Sequence, residues 1–506
     1  MSEAEFLEIR RQKLARIEQS GGDAFPRGYD VDAPLAAVRA RFDTLDADRL
    51  EQAAARCKLA GRVVSARGHG KTAFADISDG SGRLQLYARR DELGDEPYAA
   101  WQELDLGDYV GVEGTLMRTR SGELTLRVGA FTLLAKALRP LPEKWHGLKD
   151  TEIRYRQRYL DLATNEGVRG VFRQRAAALR ALRAHLDASG FIEVETPIMQ
   201  PQYGGALARP FTTHHNALDL DLYLRIAPEL YLKRLLVGGL ERVYELNRNF
   251  RNEGISTQHN PEFTMLEFYA AYWGYRRMME FVEELLTVTT EAVLGSGDFE
   301  YQGEAVSMER PWRRLRFAAA LVEIGGVPER LLHDQEGLRG WLKQRDVPAD
   351  DLSLGYLWEA ALGRFVQPSL LAPTFITHVP REVSPFAKAT PEDDGLVERF
   401  EIYWGGLEAG NGYSELNDPR EQRARMEQMA GARARELSEQ RVDEDYICAL
   451  EHGMPPAAGF GVGIDRLMML LTDSPSIRDV ILFPLLRPRT SEEHTGDISD
   501  DSSVSS

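Results

Sequence analysis

Apolar and polar positions change rhythm three times along the chain. Phe6, Ile9, Leu14 and Ile17 recur at roughly helical spacing among charges, so residues 1–57 read as a helical extension. From 58 to 138 the pattern turns to short runs of period two. Arg83-Leu84-Gln85-Leu86-Tyr87 and Glu123-Leu124-Thr125-Leu126-Arg127 are half-buried strands, with turns at Asp79-Gly80-Ser81-Gly82 and Arg120-Ser121-Gly122. Five or so such strands predict a small β-barrel. Residues 139–150, opening on Pro140-Leu141-Pro142, read as a linker. Beyond it, a helix over 168–189 carries Phe172, Ala176, Leu179, Leu182 and Leu186 on one face. Gly190 closes it, and Phe191 to Glu195 follows as a strand stopped by Pro197. Strands are expected at Glu241 to Asn247, Phe263 to Tyr269 and near Phe375 and Phe400, and a last helix after Arg466. The stretch 305–370 reads as a helical insertion in a domain spanning 151–489, and 490–506 as a disordered acidic tail. The fold class is α+β.

Length and composition narrow the classes. The 506 residues give room for two or three domains, and 43% apolar residues describe a globular protein. No apolar run approaches the ~18–20 residues of a spanning helix. The charged N-terminus lacks a signal core, and Cys57 and Cys448 make neither a disulfide framework nor a zinc site, so a cytoplasmic setting is expected. The net charge of −17 argues against a nucleic-acid partner unless a local patch overrides the total. Gly70-Lys71-Thr72 lacks the upstream glycine of a phosphate loop, because Ser65 stands there. His214-His215 lack metal-ligand spacing.

Three segments carry candidate chemistry. As a strand, Phe263 to Tyr269 puts Phe263, Met265, Glu267 and Tyr269 on one face, which suits a pocket that stacks a ring and holds a cation; a surface strand with a solvated Glu267 is the alternative. Glu401, Glu408 and Glu415, with Asn411 and Tyr413 between the last two, would repel one another unless cations sit among them. Glu401 and Glu408 could bind magnesium, which bridges carboxylates to phosphates, and a primary ammonium could satisfy Glu415; solvated glutamates are the bland reading. Closely spaced glycines in Gly459 to Gly463 let a backbone lie against a ligand, and the helix start at Arg466 favours an anion.

Together these segments resemble the bacterial class II lysyl-tRNA synthetases along residues 58–488. Gly190 to Pro197 looks like the first class II motif, Phe250-Arg251-Asn252-Glu253 with His259 to Glu267 like the second, and Gly461 to Arg466 like the third. Thr213 to Asp221 and Arg225 to Tyr231 resemble the lysine-specific signature. The resemblance implies an oligonucleotide-binding (OB) barrel that reads the anticodon, then a catalytic domain on an antiparallel sheet flanked by helices. It implies ATP-dependent joining of L-lysine to tRNA(Lys) through lysyl-adenylate, with Mg2+ as cofactor, in a cytoplasmic homodimer with no membrane association. By resemblance, Arg251 and Arg466 are catalytic. Glu253, His259, Asn260, Phe263, Glu401 and Glu408 join them around ATP, with Glu401 and Glu408 the magnesium ligands. Glu229, Arg251, Glu267, Tyr269, Asn411, Tyr413 and Glu415 surround lysine, and Arg62, Phe74 and Glu123 face the anticodon. A non-catalytic nucleic-acid-binding paralogue, an aspartate enzyme with a cationic pocket, and a ligase acting on protein are the rivals.

Overall fold

The structure, a computed structural model, describes residues 3–141, 148, 150–206, 208–433 and 442–488, so the acidic tail and most of the linker lie outside the described residues. The chain divides into two compact units, 1–149 and 150–506.

In the first unit β1 (Arg56–His69), β2 (Thr72–Ser78), β3 (Arg83–Arg89), β4 (Tyr109–Arg118) and β5 (Leu124–Ala135) close into a barrel in the order β1-β2-β3-β5-β4. Period-two alternation sends Ala73, Ala75, Ile77, Leu84, Leu86 and Ala88 inward, as the sequence predicts. The helix Glu3–Gln19 departs from its pattern: Ile9 is exposed, and the buried residue is Arg10. Its guanidinium donates to the carbonyls of Leu106, Ala137 and Arg139 at 2.9–3.1 Å, a polar anchor added to the expected stripe, of which Phe6, Leu14 and Ile17 are half-buried.

The second unit is built on an eight-stranded sheet. In chain order its strands include β6 (Ile192–Glu193), while β7 (Met199–Gln200), β8 (Thr212–His215) and β9 (Leu220–Leu224) form a separate small sheet. Next come β10 (Arg242–Phe250), β11 (Glu262–Ala271), a hairpin of β12 (Asp298–Tyr301) and β13 (Glu304–Ser307), and β14 (Arg313–Arg316). β15 (Thr374–Pro380), β16 (Leu396–Trp404), β17 (Leu407–Ser414) and β18 (Ala457–Gly463) complete it, in the order β14-β15-β16-β17-β18-β11-β10-β6. All neighbours are antiparallel except β14/β15 and β6/β10.

Three expectations need correction. The strand after Gly190 is only two residues long, because Phe191 turns into an aromatic cluster with Phe268, Trp273 and Phe281. Gly190 itself closes the helix Glu166–Ala188 at φ +79, and Phe191 N–H returns to the Leu186 carbonyl. On that helix Ala178, Leu182 and Leu186 are the fully buried stripe, and Ala176 is exposed. The stretch 305–370 begins as strands, with β14 joining the sheet edge; its helices then enclose a second core around Phe317, Leu321, Leu338 and Trp358. Three arginines in β14 hide its period from a reading based on apolarity.

One charged side chain ties the chain's second half together. Arg158 is fully buried, donates to the carbonyls of Leu482, Arg478 and Ile481, and pairs with Asp161 at 2.8 Å. Removing one partner of such a buried pair costs about 3–5 kcal/mol. Arg158→Met therefore lowers the chemical denaturation midpoint of this unit sharply, whereas Arg423→Met, which breaks an exposed pair with Glu444, barely moves it.

Candidate active site

Strand register lays out the site. Glu401 of β16 pairs with Asn411 of β17, Asn411 with Gly461 of β18, Gly461 with Glu267 of β11, and Glu267 with Glu245 of β10. The adjacent row on the same face runs Arg399, Tyr413, Gly459, Tyr269, Val243. Alternation keeps Leu266, Phe268, Phe460 and Val462 on the opposite, core face. Two cavities of about 280 Å³ each open over these rows. Both are lined by Arg251, Met265, Glu408, Asn411 and Gly461, so they form one cleft with two ends.

The first end suits a nucleotide. The Arg251 guanidinium lies 5.1 Å from the Phe263 ring centroid. Burial pushes its pKa down, while Glu253, Glu267 and Glu408 oppose that shift. Arg466 stands at the start of the helix Ile464–Leu471, donates to the Glu408 carbonyl at 2.9 Å and reaches His259 Nε2 at 3.1 Å. Burial and then Arg466 hold His259 below its ordinary pKa. A neutral ring presents the Nε2 lone pair to the arginine and donates from Nδ1 to Ser256 Oγ at 2.9 Å. Asn260 Oδ1 is buried in this wall and has no hydrogen-bond partner among the described residues, an acceptor left for a ligand donor. Asp465 fixes the geometry: its Oδ2 accepts from Thr264 N–H, and Oδ1 pairs with Arg175, each at 2.8 Å.

The second end is acidic. Glu229 begins the helix Glu229–Val237, and its Oε1 accepts from the Tyr413 hydroxyl at 2.6 Å. Glu267 is buried, with the Tyr269 hydroxyl 3.4 Å away. Burial first, then the charge of Glu229, push its carboxyl up to about 8. Glu415 is 1% exposed and lines neither cavity; the ammonium it meets is that of Lys233, at 2.5 Å. Glu401 also lies behind the wall, with Oε1 accepting from Arg399 at 2.7 Å and Oε2 from Tyr403 at 2.8 Å. Glu408 is half-exposed in the cleft. Among the described residues no three metal-ligating side chains converge. Magnesium needs no such cage, since it binds through one or two carboxylates plus phosphates, and each Glu401 oxygen keeps a second lone pair. The donor set therefore fits.

The structure thus gathers Arg251, Glu253, His259, Asn260, Phe263, Glu408 and Arg466 at one end, and Glu229, Glu267, Tyr269, Asn411 and Tyr413 at the other. It adds residues the sequence did not single out. Lys233 lies one helical turn after Glu229, a spacing that signals a pair. Arg399 is two residues before Glu401 on the same strand face. Glu359, brought in by the helix Leu354–Ala361, has its carboxyl pushed up to about 7, by burial first and then Glu401; nothing local could have placed it.

On the barrel, Phe74 stacks near Tyr87 with ring centroids 4.7 Å apart, and Arg67 lies 5.5 Å from the Phe74 centroid. Arg62 instead lies over Tyr109, and Glu123 pairs with Arg39, so the three expected anticodon residues have separate neighbours.

Comparison with known proteins agrees with this geometry. Residues 150–487 match the family profile of tRNA synthetases class II (D, K and N), and residues 57–134 match an OB-fold nucleic acid binding domain. The chain belongs to the class II tRNA synthetases of that family. It is 50% identical over 487 residues to a protein of Carboxydothermus hydrogenoformans named lysine--tRNA ligase, covering 96% of this chain and 98% of the relative. Proteins of the same name from Thioalkalivibrio sulfidiphilus (50% over 491 residues; 96% and 98% covered) and Coxiella burnetii (48% over 490 residues; 96% and 98% covered) are similar.

The two ends of the cleft are separable by mutation. A charge-assisted hydrogen bond is worth about 1.5–3 kcal/mol, or roughly 10–150-fold in binding. Arg466→Ala weakens ATP binding by that order in an equilibrium titration, while leaving ligands of the acidic end within about twofold, because Arg466 lines only the first cavity.

Proposed function

We propose that this chain is a lysine–tRNA ligase in which the acidic end of the cleft selects L-lysine and the other end holds ATP. The observation that carries the reading is a pocket lined by Glu229 and Glu267, backed by Glu415, and joined through Arg251 to the cavity lined by Phe263, His259 and Arg466. An aspartate pocket would need cations where these carboxylates stand. A non-catalytic paralogue would have no use for Arg251, Glu408 and Arg466 around one cavity.

Arg251 is shared by both ends, so it can hold the lysine carboxylate against the α-phosphate of ATP in the forked, bidentate manner of a guanidinium. That carboxylate is already ionised near neutral pH, so its in-line attack on phosphorus requires no general base. His259 is accordingly occupied with Arg466 and Ser256 rather than poised to take a proton. Pyrophosphate leaves, and lysyl-adenylate remains. A hydroxyl of the tRNA 3′-terminal ribose then attacks its carbonyl carbon, and AMP departs. Alignment, and phosphate charge spread over Arg251 and Arg466, supply the acceleration. Magnesium, held by Glu408 with Glu401, would neutralise charge on the departing phosphates.

Phe74 and Tyr87 supply π-faces suited to anticodon bases, which supports assigning the barrel that role. The first-motif segment leaves Ile192 at 51%, Ile198 at 45% and Met199 at 55% exposure, an apolar strip that supports a homodimer through this face. Cys57 and Cys448 are both free, which suits a reducing cytoplasm. Among the described residues, no helix is long and apolar enough to cross a membrane.

Amino-acid-dependent exchange of pyrophosphate into ATP tests the reading. Lysine alone of the standard amino acids should support it; exchange with aspartate, or with none, refutes it. A pH dependence follows from Glu267. Its carboxyl, pushed up to about 8, holds a proton below that pH, and an incoming ammonium favours the ionised form. The KM for lysine therefore falls as pH rises from 6.5 towards 8, by up to about tenfold per unit. Glu267→Gln raises that KM and flattens its pH profile, with the KM for ATP little changed.

A further inference from the structure

The helix Glu229–Val237 brings Lys233 under the acidic pocket, where it is completely buried. Its Nζ lies 2.5 Å from Glu229 Oε1 and 2.5 Å from Glu415 Oε2, with the rings of Phe386 and Tyr413 about it at 5.0 and 5.3 Å. Lys233, like Glu415, lines neither cavity and stands behind the pocket wall. Burial alone would strip its proton, but Glu229 and Glu415 hold it charged. Glu267, across the pocket, has no such internal partner: no ion pair is found for it among the described residues, and its hydrogen bond is to Tyr269.

We infer that Lys233 is a positioning and specificity residue, a fixed internal ammonium that cancels one of the three charges of Glu229, Glu267 and Glu415 and sets Glu229 and Glu415 in place, while the other carboxylates of the same cavity, Glu359 and Glu408, have Arg399 and Arg251 as their own cations. Two negative charges then remain for a substrate that brings two ammonium groups. The inference rests on the lysine reading above. Lysine carries an α- and an ε-ammonium, and its own carboxylate is matched separately by Arg251. In a pocket this dry, a surplus or deficit of one charge is expensive. Lys233 thus selects for the dication indirectly, by fixing both the charge of the pocket and the geometry of Glu229.

The test is a reversal of sign between two backgrounds, read in the full-length protein by lysine-dependent pyrophosphate exchange. In the wild-type background, Lys233→Met leaves three carboxylates uncompensated and unanchored, and the KM for lysine rises roughly tenfold or more, the scale of one lost charged contact. In a Glu415→Gln background, Lys233 over-neutralises the pocket, so adding Lys233→Met should lower the KM for lysine. The KM for ATP should stay within about twofold throughout, as for a distant site. Leu232→Ala, equally buried in the same helix, should lower thermal stability without this pattern. If Lys233→Met alone does not fold, the comparison of Glu415→Gln with the double variant still decides. Lys233→Met raising KM in both backgrounds, or shifting lysine and ATP alike, overturns the inference. A wild-type protein that shows no lysine-dependent exchange overturns the lysine reading first, and the inference with it.

Discussion

A Cβ on Gly459 would collide with the Tyr269 ring and lie 2.5 Å from Glu415 Oε1, and one on Gly461 would lie 3.0 Å from Met265 Cε and 3.3 Å from Glu267 Cγ. Both positions belong to β18, between the two strands that carry the polar side chains of the cleft. Any side chain there would fill the space that Glu267, Tyr269, Asn411 and Tyr413 surround. The central strand must therefore be bare on this face, while Phe460 and Val462, on its other face, are buried in the core. The price of flexible residues in a strand is met by neighbours on both sides, since β18 pairs along its length with β11 and with β17. The cleft is a gap in the side-chain layer of a continuous sheet, so its walls inherit the rigidity of the ladder.

Burying so many charges in one place works only because nearly all of them are paired. Glu401 is held by Arg399 and Tyr403, Glu245 by Arg225 and Thr196, and Glu415 by Lys233. Against that background the exceptions are informative. Among the described residues, the hydrogen bonds found for these two are a 3.5 Å one from Arg251 to the Ile226 carbonyl and a 3.4 Å one to Glu267 from the Tyr269 hydroxyl, with no ion pair for either. Their pKa values move in the directions that burial dictates for unsatisfied charge, down for the arginine and up for the glutamate. Unsatisfied charge of both signs, on adjoining walls of one cleft, matches a ligand that carries both an acid and an ammonium.

Much of this was legible in the sequence, where local rules and spacing suffice. The barrel follows from period-two runs and turns, and the helix before Gly190 ends where a positive-φ glycine must stand. Phe263, Glu267 and Tyr269 share a face because strand alternation admits no other arrangement. Failures occur where long-range packing decides. Ile9 gave way to Arg10 because carbonyls from Leu106, Ala137 and Arg139 converge on the helix. β14 escaped notice because a short, arginine-rich edge strand has no apolar period. Glu359 reaches the cleft region through tertiary contacts that no local spacing encodes, and the position of Glu415 behind the wall depends on a lysine from another element.

The net charge of −17 looks hostile to a polynucleotide partner, yet two physical facts disarm it. Screening confines electrostatic influence to about 8 Å at physiological ionic strength, so the total charge of a 506-residue chain says little about the potential at any one surface patch. The barrel carries Arg67 beside the Phe74–Tyr87 pair and, separately, Arg62 over Tyr109, so at each place a cation and a ring occur together. Stacking an unpaired base on an aromatic ring is worth about 1–3 kcal/mol and needs no net positive charge. A barrel of this kind gains its hold base by base.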